Sequence, residues 1–232
     1  VVTRFWDLGS RSYNHDESLH TLYSWYLYQG RGYKHDPMMH GPFQFHANAI
    51  IYFLFGDSDY SGRILYALFG VMAVILPISM RRWMGRTGAL VMAAMIAISP
   101  SILYYSRFAR NDILHLGFSL MAIIGLFGFI KTRQGRYLIL GATAISLLWA
   151  TKETVFIFGF SAFTFIVGAL AYELITKRDL GLLSAIKSIN RTYLGAALGV
   201  ALAIFVVLYS TFFTNPDGLR SGAVGAIEYW LK

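Results

Sequence analysis

Apolar residues run in long blocks along most of this chain. Five stretches, 61–80, 87–105, 113–130, 154–175 and 192–213, come near the roughly 20 apolar residues a helix needs to cross a bilayer. A sixth, 137–150, is apolar but reaches only about 21 Å at the helical rise per residue. It cannot run straight on into 154–175, since the joined segment is far too long for one crossing, so the chain must reverse near Thr151-Lys152-Glu153. A short first arm leaves Lys152 and Glu153 below the membrane surface. Lys152 then either snorkels to the headgroups or meets an anion.

The stretch before residue 61 has a different pattern. Within 17–28, Leu19, Leu22, Tyr23, Tyr26 and Leu27 recur at helical spacing and form one apolar stripe. With Trp25 and Tyr28 beside it, this suits a helix lying in the membrane interface. Residues 43–55 are apolar apart from Gln44, His46 and Asn48, and are too few to cross. They predict a second juxtamembrane helix. The expected organisation is a loop over 1–60 with two juxtamembrane helices, a bundle of about six spans over 61–213, and a further segment over 214–232. The fold class is all-α, a polytopic membrane bundle. Val1 in place of Met and the polar sequence at both ends suggest a piece of a longer protein.

Composition agrees with a membrane protein. Of the 232 residues 56% are hydrophobic and only 14% charged, against about 25% in soluble domains. The chain has no cysteine, which excludes a thiol nucleophile, a redox CxxC and a thiolate metal site. Its net charge of +8 would hint at nucleic acid in a soluble protein, but position gives another reading. The connections 81–86, 131–136 and 176–191 hold ten of the twenty basic residues and one acid, Asp179. The positive-inside rule makes them cytoplasmic. By parity, ten of the twelve acids and all six histidines fall on the outer side, so nucleic acid is not an expected partner.

Three clusters could carry chemistry there. Asn14-His15-Asp16-Glu17 opens the first juxtamembrane helix, where Asn14 and Glu17 also read as a capping box and Asp16 as a complement to the helix dipole. His35-Asp36-Pro37 and His40-Gly41-Pro42 punctuate the entry to 43–55; they read equally as plain turns. Ser106 to Asp112 joins two spans, with Arg107 and Arg110 as interfacial anchors and Asp112 as a helix cap in the bland reading. What favours function is convergence on one membrane face. Carboxylates, histidines, two arginines and a lysine are the inventory needed to hold a phosphate and deprotonate a hydroxyl.

The order of these elements resembles a known family. An acidic pair, a basic-Gly-Pro turn, Ser61-Gly62-Arg63, Arg107 to Asp112 after Ser99-Pro100, and Thr151-Lys152 look like the GT-C membrane glycosyltransferases, in the branch of protein O-mannosyltransferases and the aminoarabinose transferase. The archaeal and bacterial flippase-activity-associated glycosylation proteins look closer still. The resemblance covers residues 11–155. It implies a plasma-membrane, prokaryotic, GT-C-like enzyme that moves a sugar from a polyprenyl-phosphate donor to a protein, glycan or lipid acceptor on the outer face. Carried over, Asp16, Glu17 and Asp112 would be catalytic carboxylates. Lys152, Arg107 and Arg110 would bind the donor phosphate, with His15, Asp36 and His40 supporting. A divalent metal is left open. His40 departs from the lysine of the aminoarabinose branch, and Glu153-Thr154 depart from its Gly-Pro. The rival reading is a non-catalytic membrane subunit or scaffold keeping the same fold, with partners in a membrane complex.

The orientation has a direct check, since the chain has no native thiol. Cysteines placed at Gln134 or Lys187 should resist an impermeant thiol reagent in sealed cells, and one at Ser58 should label. Labelling at Gln134 would overturn the orientation.

Overall fold

A computed structural model describes residues 1–230. It is all-helical: α1 Val2–Phe5, α2 His15–Tyr28, α3 Phe43–Phe55, α4 Ser61–Ser79, α5 Arg81–Ile98, α6 Pro100–Tyr105, α7 Asn111–Thr132, α8 Gly135–Trp149, α9 Val155–Thr176, α10 Leu182–Lys187, α11 Arg191–Tyr209, α12 Asp217–Arg220 and α13 Ala226–Trp230. The last two residues of the expected 214–232 segment lie outside the described ones.

Among the described residues four helices are long and apolar enough to cross a membrane: α4, α7, α9 and α11. The other two expected spans fall short for local reasons. Stretch 87–105 is broken at Ser99, which is extended at φ −59°, ψ 120°. A residue before proline is pushed out of the α region, and Pro100 then opens α6 as its first residue. The α5 end of this unit bends at Gly85, whose φ is +77°. Helix α8 ends at Trp149 after 15 residues, as its short apolar run predicts.

The core joins α3, α4, α7, α8 and α9 through Ile51, Tyr66, Leu114, Phe118, Leu148 and Val155. Helices α7 and α8 form the tightest pair. A Cβ on Gly125 would stand 2.7 Å from the Gly141 backbone, so glycine at this crossing lets the two backbones meet. Helices α9 and α11 bury few side chains and present apolar surface outward, as lipid-facing helices do.

Helix α2 buries its polar face. Its buried residues are Glu17, His20, Thr21 and Ser24, while Leu22 and Tyr23 of the apolar stripe are exposed. Leu19 and Leu27 do pack, against Tyr33, Met39 and Phe45. The polar face turns inward because each residue on it finds a partner. The Thr21 and Ser24 hydroxyls donate to carbonyls of their own helix, each at 2.7 Å, and Glu17 meets an arginine.

That arginine is Arg63 on α4. Both side chains are almost fully buried. Arg63 Nε donates to Glu17 Oε1 at 2.7 Å and Nη2 to Oε2 at 3.0 Å. Arg63 Nη1 also donates to the carbonyls of Leu8 and Arg11. Glu17 accepts further from Arg11 Nη2 at 2.9 Å and from the Ala109 amide at 3.0 Å. The capping box is formed as well, with the Glu17 amide donating to Asn14 Oδ1. One carboxylate thus ties the first loop, α4 and the segment before α7.

Breaking a buried pair strands a charge and costs about 3–5 kcal/mol. Arg63→Met should lower the melting temperature strongly. Glu17→Met with Arg63→Met should recover only part, since the Leu8 and Arg11 carbonyls stay unpaired. Full recovery in a thermal melt of the double variant would show that those two bonds contribute nothing.

Candidate active site

The loop before α3 is built against the reversal between α8 and α9. The Gly41 amide donates to the Thr151 carbonyl at 3.2 Å, and the Phe43 amide to the Ala150 carbonyl at 2.8 Å. A Cβ on Gly41 would overlap the Ala150 carbonyl, so only glycine allows this approach. His40 before it sits at φ 65°, ψ −162°, a region almost restricted to glycine that costs on the order of 1–3 kcal/mol. The strained residue is placed against the turn that carries Lys152 and Glu153.

Four charged side chains then form a chain of alternating sign. Asp16 on α2 lies 3.1 Å from Arg110 Nη1. Arg110 Nε lies 3.4 Å from Asp112 Oδ2, and Lys152 Nζ donates to Asp112 Oδ1 at 2.8 Å. Asp112 Oδ2 is enclosed and accepts no hydrogen bond within the described residues. Beside this chain His40 Nδ1 meets Glu153 Oε2 at 2.6 Å. Lys152 therefore finds its anion in Asp112, while Glu153 finds His40, so the two positions that depart from the aminoarabinose branch face each other.

The other expected residues are placed elsewhere. Glu17 is the buried tie, with both oxygens occupied. Burial alone pushes its pKa up, but the Arg63 hydrogen bonds, the Ala109 amide and the Arg63 and Arg11 charges outweigh it and hold the carboxyl below its ordinary value. Arg107 is spent on the N-terminal segment, donating to the carbonyls of Thr3, Trp6 and Asp7. His15 is exposed. Asp36 is exposed too and caps the short turn Pro37–Met39 through the Met38 amide. Asp112 is the second residue of α7 and not its cap. Among the described residues no group of three or more His, Asp or Glu side chains is arranged to hold a metal ion.

Two further residues join the site. Glu153, which the sequence places below the membrane surface without counting it among the site residues, is one. The other is His20, one turn after Asp16 and on the same face of α2. Burial first, then the His40 charge, pull its pKa down to about 4. Gln44, one of three polar residues in a mainly apolar helix, was the available signal, since a buried amide needs a partner. It finds His20 Nδ1 at 2.8 Å.

With this geometry in place, known proteins can be compared. The sequence pattern of the dolichyl-phosphate-mannose-protein mannosyltransferase family matches residues 39–209. This chain belongs to that family. Its description names a polyprenyl-type phosphate sugar donor. No curated protein matches. Among solved structures, the apo crystal structure of ArnT from Cupriavidus metallidurans is similar, with a TM-score of 0.71 and 17% identity. The match covers 96% of this chain and 42% of that one. That likeness establishes the fold, and the chain spans less than half the length of its relative. The family match starts at Met39 and does not include α2.

His20 also sets an acid limit on stability. An unfolded histidine takes a proton near pH 6.5 and the folded His20 only near 4, so between these values the unfolded state binds more protons and stability falls as pH falls. Replacing it by glutamine should flatten the melting temperature over that window. An unchanged slope would show that His20 is protonated in the fold.

Proposed function

We propose that this member of the mannosyltransferase family is a membrane glycosyltransferase, moving a sugar from a polyprenyl-phosphate donor to an acceptor hydroxyl on the extracytoplasmic face. The observation that carries the reading is the Asp16–Arg110–Asp112–Lys152 chain at one end of the bundle. The basic connections lie at the opposite ends of the spans, which supports the outward orientation and a plasma-membrane, prokaryotic setting. Residues 1–60 are then the extracytoplasmic loop, and the exposed Leu22, Tyr23, Phe53, Leu54 and Phe55 suit contact with the interface. The order of motifs supports the flippase-associated branch.

In this reading Asp16 takes the proton of the acceptor hydroxyl, whose oxygen attacks the anomeric carbon. The bond from that carbon to the phosphate oxygen breaks, and the polyprenyl phosphate leaves with the electron pair. Asp16 is paired with Arg110 and its own side chain is 44% exposed, so it is accessible to an acceptor. Lys152, with its side chain only 17% exposed, meets the charge developing on the leaving phosphate. Arg110 helps it. Asp112 holds both cations in place, and Glu17 positions the loop instead of reacting. An apolar cleft of about 350 Å³ between α7, α8 and α9, lined by Ala122, Leu126, Ile145, Phe158 and Phe165, suits the polyprenyl tail. It begins about 15 Å along α7 from Asp112.

Purified protein given dolichyl-phosphate mannose and an acceptor separates this from a scaffold role. Lys152→Ala should lower kcat/KM for the donor about ten- to a hundred-fold. It should leave the melting temperature little changed, because Asp112 keeps Arg110. Asp16→Asn should lower kcat about a hundred-fold or more. Turnover unchanged in both variants would remove the site from the reaction.

A further inference from the structure

Behind the charged chain runs a second, neutral one. Tyr66 on α4 is fully buried, and its hydroxyl donates to Gln44 Oε1 on α3 at 3.3 Å. Gln44, equally buried, turns its Nε2 to His20 Nδ1 on α2. The direction of the bonds follows from satisfaction. The Tyr66 hydroxyl has Gln44 as its partner and its proton needs an acceptor, so the amide oxygen must face it. The amide nitrogen then faces His20, and an NH2 group only donates. His20 Nδ1 must therefore accept, which places the ring proton on Nε2.

His20 Nε2 makes no hydrogen bond within the described residues and is not enclosed. His20 as a whole is 7% exposed, and Nε2 is the polar atom of the ring left for a ligand. The charged and titratable groups acting on it are His40 in the loop before α3, Asp16 on α2, Arg110 before α7 and Asp112 on α7. These are the groups of the proposed site, and His20 stands one turn from Asp16 on α2.

We infer that His20, locked by the Tyr66–Gln44 relay as a neutral Nε2–H donor, binds a hydroxyl of the sugar being transferred and selects for it. The inference rests on the proposed transferase reading. A neutral donor one turn from Asp16 suits an uncharged hydroxyl lying between the acceptor-side carboxylate and the donor phosphate. The ring stays uncharged at neutral pH because burial opposes its protonation. A site that presents a fixed donor to a substrate hydroxyl discriminates strongly against the analogue lacking it, because the donor is then left unpaired.

The test has two arms. In full-length protein carrying ¹⁵N-histidine, the resonance lost in His20→Ala should show the neutral Nε2–H tautomer at pH 7, and dolichyl-phosphate mannose should shift it. The Nδ1–H tautomer, an imidazolium, or no shift at saturating donor would overturn the inference. Kinetics with the monodeoxy analogues of that donor form the second arm. One analogue should lose about ten-fold in kcat/KM with wild type and almost nothing with His20→Ala, and His20→Gln, which keeps a donor, should restore most of the discrimination. Equal discrimination by wild type and His20→Ala would sink the inference while leaving the transferase reading intact, provided Lys152→Ala still impairs the donor. If neither Lys152→Ala nor Asp16→Asn affects turnover, the transferase reading itself fails.

Discussion

The fold at the polar end of this bundle depends on one buried ion pair. Moving Glu17 and Arg63 out of water costs several kcal/mol per ion, and their attraction offsets this only when further hydrogen bonds satisfy what is left. Here they do. Arg63 spreads its donors over Glu17 and the carbonyls of Leu8, Arg11 and Ser12, and Glu17 accepts from Arg11 and Ala109 besides. The consequence reaches the site through the chain. Asp16 precedes Glu17 by one residue, and Arg110 follows Ala109 by one. Pinning Glu17 to the Ala109 amide therefore brings Asp16 and Arg110 together, and Asp112 stands two residues further on. The carboxylate that a reader of motifs would count as reactive is the one that places the carboxylates of the proposed site.

A second constraint acts from the other side. The Gly41 and Phe43 amides hold the loop to Ala150 and Thr151, and His40 is forced into a backbone region that side chains avoid. Such strain persists only where the surroundings over-determine it. Two backbone bonds and the Glu153 contact do so here. The loop and the reversal are tied together, so Lys152 is held in place although no Gly or Pro marks its turn.

Much of this was legible in the sequence. The four helices long and apolar enough to cross a membrane follow from the apolar blocks, and the short α8 before Lys152 follows from the short run there. The capping box formed where Asn14 and Glu17 predicted it. What periodicity missed was the inward face of α2, because a stripe count cannot see that Glu17, His20, Thr21 and Ser24 each find a partner. Spacing likewise could not divide the arginines. Arg107 and Arg110 are three residues apart, yet one serves the N-terminal segment and the other the carboxylates. Such choices depend on partners far along the chain. The break at Ser99 was readable from Pro100 alone, and was hidden by the apolar residues on either side.

The alternation of charge bears on how an anionic donor would be received. Asp16, Arg110, Asp112 and Lys152 already satisfy one another, so a phosphate cannot simply be added. It must take Lys152 from Asp112, an exchange of one anion for another at 2.8 Å. Asp112 loses little in that exchange, because Arg110 Nε stands 3.4 Å from an oxygen that otherwise accepts no hydrogen bond. Arg110 can tighten onto Asp112 only by loosening from Asp16, its other partner. Phosphate arrival at one end of the chain would thereby loosen a carboxylate at the other, the one proposed to accept the proton.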